Sequence, residues 1–134
     1  MKGSFHHLDL SVRDIEAAVA FYEPILAFLG YHRVKSSDDV VVWHLEPDGR
    51  YVCSLALRPA HSQQAHDRYT AGLHHVAWTA DSRESVDALH ALLASRQVTI
   101  LDPPADYPKY GPVYYSVFFA DPDGMKLEYV HTGG

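Results

Sequence analysis

The chain has 134 residues, of which 47% are hydrophobic, enough for one packed domain that buries about two-thirds of its unfolded surface. With 11 basic residues against 17 acidic ones the formal net charge is -6, and no run of Lys or Arg is present to track a phosphate backbone, which argues against a nucleic-acid partner. The opening MKGSFHHLDL lacks the apolar core of a secretory signal, and no apolar run approaches the ~20 residues that span a bilayer, so a cytoplasmic protein with no membrane partner is expected.

Residues 7–12, HLDLSV, alternate apolar and polar, the period-2 pattern of a half-buried strand. The following DIEAAVAFYEPILAFLG carries Asp14 as a cap, a helical stripe at Ile15, Ala18, Val19, Tyr22, Leu26 and Leu29, and Gly30 as a stop. Pro24 is expected to break or kink this helix, ending its longer piece at residue 23 with a short turn beyond. YHRVKS, VVVWHLE and YVCSLALR are strand candidates, the last two separated by the turn signal PDGR. Cys53, the only cysteine, falls in the third of these and is expected to be a buried apolar residue. Alone, it can form neither an internal disulfide nor a Cys-based zinc framework.

The order over residues 1–60 is therefore βαβββ, and the polar stretch at 61–71 is the expected linker. From 72 to 134 the order repeats. HHVAWTA reads as a strand, and SRESVDALHALLAS as a helix opened by a capping box from Asp81 and Glu84. VTILD, VYYSVFFA and MKLEYVH are the remaining strands, with the Pro-rich DPPADYPKYGP as a loop and DPDG as a tight turn. Shifting the sequence by 68 places superposes His6 and His7 on His74 and His75, Leu8 on Val76, Leu10 on Trp78, Ser11 on Thr79 and Glu16 on Glu84, an internal repeat. The fold class expected is α+β: two tandem βαβββ modules forming a cup-shaped mixed sheet with the helices outside.

Alternation assigns the faces. Leu8, Leu10 and Val12 belong to the helix-packed side of the first strand, and His7, Asp9 and Ser11 to the other. In the second module Val76 and Trp78 are the apolar set, leaving His75, Ala77 and Thr79; on the final strand Met125, Leu127 and Tyr129 oppose Lys126, Glu128 and Val130. His6 and His74, one place earlier, are expected to point to the opposite face and serve structure. Two imidazoles and a carboxylate, His7, His75 and Glu128, can ligate one divalent ion while leaving positions for water or substrate. An ion held this way polarises a substrate oxygen or lowers the pKa of bound water to about 7. A hydrogen-bonded core or rim role is the alternative for any one of the three taken alone.

The segment DYPKYGPVYYS offers Tyr107, Lys109, Tyr110 and Tyr114 as an aromatic rim with one cation, suited to a flat or anionic ligand, or else as a Pro-stiffened loop with tyrosines packed on the sheet. Arg58, His44, His61 and His66 are further polar candidates, read as solvated surface residues.

Three stretches, HLDLSVRDIEAAVAFYE, HHVAWTADSRESVDAL and FFADPDGMKLEYVH, resemble the vicinal oxygen chelate superfamily, which includes glyoxalase I, fosfomycin-resistance thiol transferases, extradiol dioxygenases and bleomycin-binding proteins. They cover nearly the whole chain, and DPDG followed by K-L-E is the most specific. The resemblance implies paired βαβββ modules, metal ligands at His7, His75 and Glu128, and a homodimer in which the modules of one site come from one chain or two. It further implies a metal-dependent enzyme acting on a small oxygen-chelating substrate, dioxygenase-like or glyoxalase-related (lyase, isomerase or thiol transferase). Fe(II) or Mn(II) is favoured for the cofactor over Zn(II) or Ni(II). The alternative is a metal-free small-molecule binding protein of the bleomycin-resistance type. The further carboxylate ligand of glyoxalase I falls near Leu55, which argues against glyoxalase chemistry, and the tyrosine usual ten residues before the closing carboxylate is Phe118 here. Tyr114 and Ser116 share its parity and are the catalytic candidates to supply the hydroxyl, with Lys109 as a third, cationic candidate.

Overall fold

In the computed structural model, which describes all 134 residues, HLDLSV becomes strand β1 (His7–Val12), with Leu10 and Val12 buried and His7, Asp9 and Ser11 exposed. Helix α1 (Ile15–Phe28) follows, its first turn capped by Asp14 Oδ1, which accepts from the Ala17 N–H at 3.1 Å. The helix runs unbroken through Pro24, which corrects the expected stop at residue 23. Pro24 has no N–H to give to the preceding turn. Its neighbours Tyr22, Ile25 and Leu26 are fully buried, and burial at about 1.5–3 kcal/mol per large apolar side chain outweighs that one loss. Leu29 is the C-cap, and Gly30 leaves the helix at φ +93°, a left-handed conformation that favours glycine.

Strands β2 (Tyr31–Ser36), β3 (Val41–Leu45) and β4 (Cys53–Pro59) complete the first sheet in the order β1-β4-β3-β2, with β1 parallel to β4 and the other pairs antiparallel. Trp43, Leu55 and Leu57 are buried on the side covered by α1. Cys53 is half-buried rather than buried, because its Sγ lies 3.3 Å from the Tyr31 hydroxyl near the start of β4 instead of deeper in the sheet.

The chain divides into two compact units, Met1–Gln64 and Ala65–Gly134. The second repeats the plan of the first: β5 (His75–Thr79), helix α2 (Arg83–Ser95), β6 (Thr99–Asp106), β7 (Tyr115–Ala120) and β8 (Lys126–His131), in the order β5-β8-β7-β6 with β5 parallel to β8. Val86, Leu89 and Leu93 of α2 are buried against β7 and β8, where Val117, Phe119 and Leu127 are buried too. The Ser85 and Tyr129 hydroxyls, bonded at 2.7 Å, tie the helix to β8. Two four-stranded mixed sheets with one helix each make the α+β class expected. No helix is long and apolar enough to cross a membrane.

Two local expectations are corrected here. The N-cap of α2 is Ser82, whose Oγ accepts from the Ser85 N–H at 3.0 Å, and not Asp81 of the expected capping box. The helix begins one residue too late for Asp81, which instead accepts from the Ser82 hydroxyl at 3.4 Å. Strand β6 runs on through Pro103 and Pro104 to Asp106, where a loop was expected. It is an edge strand, and its pairing with β7 shifts register between Asp102 and Ala105, the setting in which a residue without a ladder N–H is tolerated. The DPDG turn forms as expected: Asp121 Oδ1 accepts from the Asp123 and Met125 N–H groups at 2.8 and 2.9 Å, and Gly124 takes φ +85°.

Candidate functional site

By fixing where β8 starts, the DPDG turn also fixes its register. Glu128 pairs with Ala77 of β5 and Phe118 of β7, and it is only 1% exposed. A carboxylate this deep must find donors or a positive charge. Its Oε2 accepts from the Tyr114 hydroxyl at 2.6 Å and the Ser116 hydroxyl at 2.8 Å. Its Oε1 lies 3.2 Å from His75 Nε2.

His75 reaches Glu128 with this nitrogen because the other is engaged: His75 Nδ1 is 2.8 Å from His74 Nδ1. The His74 pKa is pushed down, first by desolvation and then by the positive charges of His75, Lys126 and Arg68. A neutral His74 accepts the Nδ1–H of His75, so Nε2 is the His75 nitrogen left to face Glu128. A proton on Nε2 makes the two a hydrogen-bonded pair, and a metal ion makes both ligands. The 3.2 Å separation fits either arrangement, since it lies within hydrogen-bond range and two donors about 2.1 Å from one ion at 90–110° would lie about 3.0–3.4 Å apart.

Tyr114 and Ser116 are brought to the site, but onto Glu128 itself. Burial, followed by the hydrogen bond to Glu128, pushes the Tyr114 phenol well above its ordinary range, so it remains a protonated donor. Ser116 is fully buried, with its Oγ also 3.2 Å from the Tyr129 carbonyl. Phe118, opposite Glu128, places its ring 6.5 Å from His75 and 5.5 Å from Tyr107. Tyr107, Tyr110 and Tyr114 pack on one another at 5.2–6.3 Å. Lys109 sits in the short turn Pro108–Tyr110, exposed and 5.0 Å over the Tyr110 ring, and is not brought to Glu128. Two residues on this face that the sequence did not single out are Lys126, paired with His75 in register and 4.6 Å over the Phe118 ring, and Asp102, opposite Phe118 on β6. Parity signalled Lys126. The register shift in β6 hid Asp102.

In the first unit His7 is exposed at the head of β1, its Nδ1 3.0 Å from His6 Nδ1. His6 and His74 thus do not turn to the opposite face, as was expected; both precede their strands, where alternation does not operate, and each meets its neighbour's Nδ1. The residue beside His7 on β4 is Ser54. Leu55 pairs with Leu8 instead and is 2% exposed, on the helix side. The position that would carry a glyoxalase-type carboxylate next to His7 is therefore Ser54, which also lacks one. Arg58 pairs with Asp9 at 2.8 Å, His66 Nε2 lies 3.0 Å from the Leu73 carbonyl, His61 is exposed, and His44 is held by Glu46 at 2.6 Å. Within neither unit do three or more His, Cys, Asp or Glu side chains form a metal-holding group. The second unit offers His75 and Glu128, and the first His7.

Similarity to known proteins bears on this arrangement. The sequence profile of the Glyoxalase/Bleomycin resistance protein/Dioxygenase superfamily matches residues 4–129. The uncharacterised protein YqjT of Bacillus subtilis is 29% identical over 125 residues, 93% of this chain and 96% of that one. The crystal structure of a glyoxalase-like protein from Bacillus halodurans superposes with a TM-score of 0.81 at 30% identity, covering 97% of this chain and 96% of that one. The fosfomycin resistance protein FosX of Listeria monocytogenes, at 19% identity and a TM-score of 0.69 over 98% of this chain and 94% of its own, shares the fold. The repeated βαβββ units, their strand order and the matched profile together establish that this chain belongs to the Glyoxalase/Bleomycin resistance protein/Dioxygenase superfamily.

Proposed function

We propose that the protein is a metal-dependent enzyme acting on a small substrate that offers two adjacent oxygens, with His7, His75 and Glu128 as the metal ligands. The observation that carries this reading is the division of labour on Glu128: Oε2 is taken by the Tyr114 and Ser116 hydroxyls, and Oε1 is left facing His75 Nε2. A divalent ion bound there supplies polarisation of a substrate oxygen. Two imidazoles and one carboxylate favour Fe(II) or Mn(II) over Zn(II) or Ni(II). Dioxygenase-like chemistry accordingly ranks ahead of lyase, isomerase or thiol-transfer chemistry, and the lack of a carboxylate at Ser54 supports that order. Tyr114 and Ser116 hold the ligand carboxylate in place. Phe118, Tyr107 and Tyr110 offer a flat wall, with Lys126 and, further out, Lys109 as cations for an anionic group. A homodimer, with one copy or two supplying the ligands of each site, fits the large apolar side chains left exposed, Phe5 at 92% and Tyr69 at 79%.

A second reading, a metal-free binding protein, is favoured by the same aromatic wall, which can stack on a flat ligand without any ion. Anaerobic loading with Fe(II) and exposure to a broad catechol panel in air tests the first. Ring cleavage with a yellow product is expected for at least one catechol; none across the panel removes the dioxygenase assignment.

A further inference from the structure

We propose that His6 and His74 are positioning residues for the metal ligands His7 and His75, each holding its neighbour's Nδ1 so that Nε2 is presented to the ion. The inference rests on the metal-dependent reading above. Each pair lies within one unit, and the two are built alike. His7 and His75 are the first residues of β1 and β5, and His6 and His74 stand one place before them. No strand yet turns successive side chains to opposite faces there. The two rings of each pair therefore meet edge-on, with centroids 5.3 Å apart at 88° in the first unit and 5.0 Å apart at 77° in the second. The same atoms meet in both, Nδ1 to Nδ1, at 3.0 and 2.8 Å. Burial does not account for the contact, since His6 and His74 are exposed.

Two ring nitrogens this close share one proton, because two bare lone pairs repel and so do two N–H groups. A neutral imidazole has one N–H, so a histidine that binds an ion through Nε2 carries its proton on Nδ1. As ligands, His7 and His75 are thus the donors of their pairs, and His6 and His74 the acceptors. Such a bond fixes the tautomer and ring angle of the ligand and raises the basicity of its coordinating nitrogen. The usual acceptor is a carboxylate, a backbone carbonyl or water. Here an imidazole takes that place in both units, which adds no negative charge and leaves Glu128 as the one charged ligand.

The accepting rings are themselves held. Tyr51, from the β3–β4 connection, places its ring 4.8 Å from that of His6 and donates its hydroxyl to the His6 carbonyl at 2.8 Å. The same carbonyl accepts from the Ser54 N–H at 3.1 Å, which ties His6 to β4. His74 packs against Tyr69 with ring centroids 5.7 Å apart, and the Arg68 guanidinium lies 5.3 Å over the Tyr69 ring. Tyr51 and Tyr69 are not equivalent under the 68-residue shift, so one pairing is supported in two different ways.

The test uses the full chain loaded with Co(II), a spectroscopic probe ion. His6→Phe and His74→Phe keep a ring and remove the acceptor, whereas His6→Asn and His74→Asn restore one in the side-chain amide oxygen. Circular dichroism confirms folding, and titration against a competing chelator gives the Kd. Each Phe variant is expected to bind Co(II) about 10–100-fold more weakly, and each Asn variant to recover most of that loss. Proton NMR in water gives a second readout. The metal-shifted Nδ1–H signal of His75 is expected to be lost to exchange in His74→Phe while that of His7 persists, with the reverse in His6→Phe. A merely structural role would lower thermal stability and leave the affinity and both signals in place. Phe variants that bind as tightly as the unmodified protein, or Asn variants that bind no better than the Phe ones, would overturn the inference and leave the metal reading standing. An unmodified protein that takes up no Co(II) would overturn that reading, and the inference with it, before any variant is compared.

Discussion

His75 Nε2 and Glu128 Oε1 face each other at 3.2 Å from neighbouring parallel strands. They are not direct partners: His75 pairs with Lys126, and Glu128 with Ala77. The contact is diagonal, across two positions of one face, which is within reach of long side chains. The same arrangement leaves Glu128 Oε2 to the two hydroxyls behind it.

Removing either hydroxyl therefore separates stability from metal affinity. Tyr114→Phe and Ser116→Ala each delete one hydrogen bond to a buried carboxylate, at a cost of about 1.5–3 kcal/mol in urea denaturation. Each is also expected to weaken divalent-metal binding by roughly 10–100-fold, as loss of a group that orients a ligand does. Phe118→Tyr, which adds a hydroxyl opposite Glu128, should leave metal affinity nearly unchanged. If Tyr114→Phe and Ser116→Ala bind metal as tightly as the unmodified protein, the orienting role is refuted.

The cap of α2 makes a sharper local test. Ser82→Ala is expected to cost about 1 kcal/mol, since Ser82 Oγ satisfies the Ser85 N–H. Asp81→Ala should cost clearly less, because Asp81 meets only the Ser82 hydroxyl. Thermal melts of the two variants decide it, and the reverse order would restore the capping box.

An acid-side prediction follows from Arg83 and Asp106, joined at 2.7 and 3.2 Å. The hydrogen bond from Arg83, with its charge, holds the Asp106 carboxyl below its ordinary value. A lowered folded pKa gives a contribution that is complete above the unfolded value of about 3.9 and is lost as pH falls through the folded one. The stability difference between the unmodified protein and Asp106→Asn should be flat near neutrality, begin to decline only below about pH 4, and disappear once pH has fallen past the lowered folded value. It should also be small and shrink with salt, since both groups are exposed. Denaturation at several pH values checks the sign; a difference that grows toward acid would contradict it.

Much of this was legible in the sequence because it rests on period. The 68-residue repeat marks both βαβββ units, and strict alternation separates the buried Leu10 and Val12 of β1 and Leu127 of β8 from their neighbours on the other face. What failed depended on events outside that period. Pro24 was read by its local cost, whereas burial of Tyr22, Ile25 and Leu26 decided the helix. Pro103 and Pro104 were read as loop because an edge position with shifted register cannot be seen in a composition. His6 and His74 were assigned by alternation one residue before any strand existed to impose it. The pairing of His44 with Glu46 is set by the turn that follows β3, since Glu46 lies one residue beyond the strand, where alternation does not operate.

The most direct test of the account is the metal content of the full chain, measured by elemental analysis after loading with Fe(II) or Mn(II) and removal of excess ion. His7→Ala, His75→Ala and Glu128→Gln are compared with His66→Ala, which lies outside the proposed ligand set. The account predicts stoichiometric metal in the unmodified protein and in His66→Ala, and its loss in each of the other three with folding retained by circular dichroism. Metal uptake that is unchanged by all three substitutions, or absent from the folded unmodified protein, would contradict it.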